Sequence, residues 1–400
     1  MSGVSWALAL LLAAVGGMPV HAQILTEQQF LDDALPTHPG IAVAEADIAA
    51  ASGVRRQMGV LNNPVITWER ENPDVAPRQD TWRLGWRLPF DGRRHRMAAA
   101  DAEVAASRNE LGATRLAIRL ELRSLFASWY VAVEREALLR AHLERTRRLA
   151  GWLEARAEEG EAAGVEARRL KLEVEVVERE VAASRAEALA WRAATASWSV
   201  LVTSDVGPER PLLPEPPATA EIKDRPDILA LVHRVAAAES RLSLERRVLE
   251  PPVISAGWIE IRDGRQSFDG PVFGVVWPLP LFDRNQGNRQ VAAAEADRAR
   301  SELEVSRRLA SQQAEAALAS YSELFDAVVR GGSSAIEAGV VEAVFAAFAA
   351  GEASLTDVLD ALRATIDVQM ARVETLARAL AAERELEAAL GRSIFPGGSS

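Results

Sequence analysis

Thr81-Trp82-Arg83-Leu84-Gly85-Trp86-Arg87-Leu88 alternates strictly, with Trp82, Leu84, Trp86 and Leu88 on one side and Thr81, Arg83, Gly85 and Arg87 on the other. Successive side chains of a strand point to opposite faces, so this segment offers one apolar face and one polar, charged face. Two readings are open. One is a half-buried hairpin over a helical core; the other is a strand whose apolar face meets lipid, since tryptophan girdles edge the apolar band of membrane barrels. Weaker versions of the pattern recur in Ile254, Ala256 and Trp258 and in Phe273, Val275 and Trp277. With Pro64 to Glu71 they make four candidate strands, at about 64–71, 81–88, 253–261 and 272–279. Four strands cannot close around a lumen, so the lipid reading requires several copies to pool them.

Working outward, the strand pairs belong to one unit written twice. His38-Pro39-Gly40-Ile41 is answered by Arg225-Pro226-Asp227-Ile228, and Asn63-Pro64-Val65-Ile66 by Pro251-Pro252-Val253-Ile254. Trp86-Arg87-Leu88-Pro89 is answered by Trp277-Pro278-Leu279-Pro280, Ala98 to Glu103 by Ala292 to Asp297, and Gly160-Glu161-Ala162 by Gly351-Glu352-Ala353. The order is kept while the offset drifts only between 187 and 194. The expected organisation is a first repeat over 23–206, a Pro-rich linker over 207–225, a second repeat over 226–391 and a tail over 392–400. Each repeat reads helix, strand, turn, strand, very long helix, break, return helix. The long helices are expected over about 93–159 and 288–350, and the return helices over 165–202 and 353–390. Leu111, Ile118, Leu122, Leu125 and Trp129 carry the helical spacing. Some 65 residues of helix make roughly 100 Å, and the opening and return helices placed end to end nearly match that length. Alanine-rich faces permit the close approach of coiled-coil packing.

The chain has 400 residues with 48% apolar and 26% charged, and a formal charge of -11. Such an acidic balance argues against a duplex nucleic-acid binder. Cysteine is absent, which excludes disulfides, thiolate metal sites, a thiol nucleophile and a lipidated amino-terminal cysteine. The apolar run Trp6 to Val15, followed by Val20-His21-Ala22, reads as a cleavable signal peptide over 1–22 and hence as export. No later stretch is long and apolar enough for a spanning helix. The five histidines are scattered, no Gly-rich phosphate loop follows a strand and no nucleophile elbow is visible. The expectation is therefore a protein that is not an enzyme and holds no cofactor or resident metal.

The sequence resembles the TolC-type outer-membrane efflux channels over essentially its whole mature length. The duplication carries the resemblance, together with Trp86 to Arg94, Pro278 to Asn288, Gly351 to Ala361 and the ending Ala389-Leu390-Gly391. Within the second passage, Pro280-Leu281-Phe282-Asp283-Arg284-Asn285-Gln286-Gly287-Asn288 is similar to the heavy-metal cation branch. The resemblance implies a mainly α fold with a small β part: a homotrimer with four strands per protomer in a 12-stranded transmembrane β-barrel, above a long coiled-coil α-barrel. It implies a passive outer-membrane duct of a Gram-negative bacterium, extending into the periplasm and partnered by a periplasmic adaptor and an inner-membrane resistance-nodulation-division pump. A duct for drugs or for type I secretion shares the body plan. A soluble periplasmic coiled-coil adaptor is the alternative of another class.

Within that frame Trp82, Leu84, Trp86 and Leu88 are the expected lipid-facing residues. Asp357 and Asp360 lie three apart just after Gly351, on one helix face where the helix dipole also favours negative charge. On the residues alone, helix-terminal stabilisation is the preferred reading of both. The resemblance places their segment at the periplasmic entrance, where three protomers would gather six carboxylates into a gate and selectivity ring. Glu166 and Arg169 stand at the equivalent positions of the first repeat and are the expected gate partners.

Overall fold

The computed structural model describes residues 23–90, 92–158, 164–247, 249–331 and 334–395, omitting the side chains of 334–338. The expected signal segment and the expected break at Gly160 lie outside these residues. A short strand β1 (Gln23–Leu25) leads into α1 (Glu27–Ala34) and α2 (Pro39–Met58), followed by β2 (Val65–Glu71) and β3 (Arg78–Arg87). Then come α3 (Arg93–Glu158), α4 (Gly164–Ala196) and β4 (Val206–Pro208). The remaining order is α5 (Pro226–Glu245), β5 (Val253–Asp263), β6 (Gln266–Val276), α6 (Gln286–Arg330), α7 (Ser334–Ala349) and α8 (Leu355–Leu390).

The 66 residues of α3 make a rod of roughly 100 Å. It serves as the axis of the molecule, with α2, α4, α5 and α8 packed along it and α5 and α8 also packed on α6. Pro39 and Pro226 open α2 and α5 at the first helical turn, where a missing N–H costs nothing. His38 completes the first of these caps by accepting from the Gly40 N–H through Nδ1 at 3.1 Å. Gly391 ends α8 at φ +71, and a Cβ there would come within 2.5 Å of Arg225 Cγ. Among the described residues the apolar core is divided into several clusters along the rod. One holds Phe30, Leu31, Leu122, Phe126 and Trp129 near the chain start. A second holds Leu153, Leu170, Leu355, Val358 and Leu362 at the far end.

The main sheet runs β2-β3-β5-β6, antiparallel throughout. Gly257 lets β5 approach β3, because a Cβ there would sit 1.9 Å from the Trp82 carbonyl oxygen. β6 begins at Gln266, earlier than the expected 272, and carries Pro271 inside it. Within the single chain β6 has a neighbouring strand on one side only, so a proline that lacks a ladder donor is accommodated there. The connection to β5 is a two-residue turn, Gly264-Arg265, with Gly264 at φ +57.

Three further expectations are corrected. One helix was expected over 288–350, but α6 stops at Arg330 and α7 starts at Ser334. Gly331-Gly332-Ser333-Ser334 combines the residues that lose most on entering a helix with those whose side chains compete for the backbone. The first return helix stops at Ala196 instead of 202. There the Ser199 hydroxyl donates to Asp33 Oδ2 at 2.6 Å and the Val200 N–H donates to the same oxygen, drawing the chain onto α1. Finally, a two-stranded parallel pair of β1 with β4 exists beside the four expected strands.

Candidate functional site

Register assembles the apolar face of the sheet row by row. Trp82 lies between Trp68 and Trp258, Leu84 between Ile66 and Ala256, and Trp86 beside Ile254. β6 extends the rows with Pro271, Phe273 and Val275. The Trp68 and Trp82 rings stack at 5.6 Å. At the helix end of the sheet, Trp86 Nε1 donates to the Asn62 carbonyl at 3.0 Å and Trp277 Nε1 to the Glu250 carbonyl at 3.1 Å. Leu88 lies just beyond β3, where its N–H donates to the Pro252 carbonyl. Nothing among the described residues covers this face: Ile66 is 73% exposed and Phe273 79%. The opposite face carries Thr67, Glu69, Arg83, Arg87 and Ser255, with Arg83 and Glu69 paired at 3.4 Å.

The second region is the far end of the rod. Leu355, Val358, Leu359 and Leu362 bury one side of α8 against α3, α4 and α7, which leaves Asp357 and Asp360 exposed on the other. Ser354 and Asp357 form a capping box. The Asp357 N–H donates to Ser354 Oγ at 3.2 Å, while Asp357 Oδ2 accepts from the Ser354 N–H at 2.7 Å and from its hydroxyl at 2.6 Å. These bonds hold the Asp357 carboxyl below its ordinary range, so it is ionised near neutrality. Glu166 and Arg169 are exposed on the first turns of α4, and among the described residues neither pairs with Asp357 or Asp360. The ion pair that joins α4 to α8 is instead Glu173 with Arg363, whose Nη2 reaches both carboxylate oxygens at 2.8 and 2.9 Å. Next to it His142 is buried, its Nδ1 without a partner among the described residues, and desolvation lowers its pKa.

A third cluster went unread in the sequence. Arg123 of α3 is fully buried and meets Glu27 of α1 and both Glu383 and Glu387 of α8. The Phe395 ring lies over its guanidinium at 4.7 Å. Glu387 also accepts from the Ser393 hydroxyl and the Ile394 N–H, each at 2.7 Å. The cluster therefore ties both ends of the described chain to the axis of the rod. An arginine on the buried side of an otherwise apolar helical stripe was the one local signal.

Among the described residues, no group of three His, Cys, Asp or Glu is placed to hold a metal ion. No described helix is long and apolar enough to cross a membrane. The site is thus an uncovered apolar sheet face at one end of a helical rod and an exposed acidic helix start at the other.

No protein-family model matches the chain. The cobalt-zinc-cadmium resistance protein CzcC of Cupriavidus metallidurans is 27% identical over 384 residues, covering 92% of this chain and 90% of that protein. Among solved structures, the outer membrane protein VceC of Vibrio cholerae aligns with a TM-score of 0.74 at 18% identity, over 92% of this chain and 97% of that one. CusC, studied for conformational changes accompanying folding and transmembrane channel formation, aligns with a TM-score of 0.75 at 16% identity, over 92% of each chain. The fold of this chain is the one VceC and CusC share, helical in the main with a small sheet at one end.

Proposed function

We propose that this chain, a member by fold and by sequence kinship of the TolC-type outer-membrane efflux proteins and of their heavy-metal branch, is the passive exit duct of a tripartite efflux system. The observation that carries the reading is the sheet. Its apolar face is uncovered, and both of its edges, β2 and β6, are unpaired. Open edges are a liability in any sheet and are not tolerated in lipid. Three copies that join β2 of one to β6 of the next close twelve strands into a barrel and remove every edge at once. Trp82, Leu84, Trp86 and Leu88 then face lipid, and Arg83 and Arg87 face the lumen. The helical rods pool into a tube that reaches into the periplasm, where an adaptor and an inner-membrane pump deliver the cargo.

Asp357 and Asp360 supply six carboxylates at the entrance of such a tube, enough to favour cations over anions without a tight site that would slow release. Glu166 and Arg169 lie on the start of α4 and serve as gate partners across protomers, since among the described residues neither pairs with Asp357 or Asp360 within one chain. Metal cations are the cargo, as the kinship with a cobalt-zinc-cadmium resistance protein supports. Deletion of the protein, followed by growth on a panel of divalent metals and of drugs, tests this. Sensitivity to the metals with unchanged drug tolerance is expected; drug sensitivity alone would contradict the cargo.

A further inference from the structure

The outer rim of the sheet holds charges in an order that its own ion pairs leave incomplete. On the face that bears Trp82, the row beyond the tryptophans is Arg70, Asp80, Glu260 and Asp269, and beyond it Arg78 lies directly opposite Arg262 across β3 and β5. Two like charges facing each other on neighbouring strands repel. Each guanidinium is held along its own strand by the carboxylate two residues nearer the tryptophans. Arg78 binds Asp80 at 3.2 Å through Nε and Nη2, and Arg262 binds Glu260 at 2.8 Å through Nε and 2.7 Å through Nη2. Asp80 is also taken by Arg70 at 2.6 Å. The Nη1 groups of Arg78 and Arg262 have no acceptor among the described residues, and both side chains are partly exposed. Arg265, in the adjoining turn, is exposed as well.

Depth identifies what an acceptor would be. Four residues separate Arg78 from Trp82, about 13 Å along a strand and about 10 Å in height at the tilt of a membrane barrel. The bond to Asp80 draws the guanidinium back by up to two residues, so it lies about 5 to 10 Å above the aromatic row. That is the headgroup layer, which adds about 5 to 7 Å to each side of the hydrocarbon core. The turns stand at the end opposite the helices, so this layer belongs to the outer leaflet. Arginine's planar fork suits phosphate.

We propose that Arg78 and Arg262 form a binding site for a phosphate group of the phosphorylated glycolipid of the outer leaflet, a reading that rests on the lipid-facing assignment of the Trp82 face. The test uses purified protein in detergent, with diphosphoryl lipid A, the same lipid A stripped of its phosphates, and inorganic phosphate as probes, and retained lipid read by native mass spectrometry. The native protein is expected to bind diphosphoryl lipid A at least fivefold better than the stripped lipid, with millimolar inorganic phosphate failing to displace it. Arg78→Gln with Arg262→Gln should remove that preference, Arg78→Lys with Arg262→Lys should keep part of it, and Arg87→Gln on the opposite face should leave it unchanged. Equal binding of both lipids by native protein, undiminished preference in the double Gln variant, or displacement by inorganic phosphate would overturn the proposal. A protein that stays soluble without detergent and retains no lipid of any kind would instead overturn the membrane reading beneath it.

Discussion

Arg123 and Glu383, 260 positions apart in the chain, meet in a two-pronged ion pair, Nη1 to Oε1 at 3.1 Å and Nη2 to Oε2 at 3.0 Å, with both side chains closed off from solvent. Glu27 and Glu387 share the same guanidinium, and Arg384 is buried beside them. Three carboxylates against two guanidiniums in a dry core leave one carboxylate short of compensation. Burial pushes the Glu383 carboxyl up from its usual 4.5 to about 7, against the pull of Arg123.

Arg123→Met leaves two buried carboxylates, Glu383 and Glu387, and the half-buried Glu27 without their shared partner and should lower stability by about 3 to 5 kcal/mol, the range for a broken buried ion pair. The shift of the denaturant midpoint measures it. Exposed pairs such as Arg55 with Asp101 should cost under about 1 kcal/mol when broken, which makes Arg55→Gln the matched control.

The same cluster sets a pH dependence. A carboxyl with a folded pKa above its unfolded one binds more protons when folded, so its contribution is largest below pH 4.5 and is lost as pH rises to about 7. Thermal midpoints of native protein and Glu383→Gln across pH 5 to 8 should differ in slope, the native falling and the variant flatter. Parallel curves would place the proton elsewhere.

The two faces of β3 should respond oppositely to charge. Leu84→Asp puts a carboxylate on the lipid side, inward of the tryptophan row, and should block assembly, at up to roughly 2 to 4 kcal/mol per protomer or somewhat less for Asp. Arg83→Ser removes only a partly exposed pair and should assemble normally. The yield of heat-modifiable oligomer on gels separates the two, and equal damage from both would mean that the alternation is not one of lipid and lumen.

At the entrance, charge and capping can be told apart. Asn retains an acceptor at the capping position while removing the charge, so Asp357→Asn with Asp360→Asn should weaken cation selectivity and block by multivalent cations in planar bilayers, with the fold intact. Asp357→Ala also loses the capping box and should cost about 0.5 to 2 kcal/mol in addition. Unchanged selectivity in the double Asn variant would return both residues to helix capping.

What the sequence made legible was whatever is periodic. Trp82 to Leu88 showed its faces because alternation is local, and Ile118, Leu122 and Trp129 showed the long helix for the same reason. Pro271 hid half of β6, because proline argues against a strand until the strand is known to be an edge. The three residues of β1 are too few to show any period. Gly331-Gly332 stands where α6 ends, but apolar residues continue on either side of it, so the helical pattern alone does not show the break. The partners of Arg123 stayed hidden because they come from helices far apart in the chain, and the capping role of Asp357 was legible while the pairing of α4 to α8 through Glu173 and Arg363 was not.

With its uncovered sheet face in the outer membrane, the protein stays with that membrane after osmotic shock. Density-gradient fractionation of osmotically shocked cells measures this most directly. The protein should band with outer-membrane markers and be released only by detergent, as a particle of three chains. Recovery in the shock fluid as a soluble protein would contradict the account.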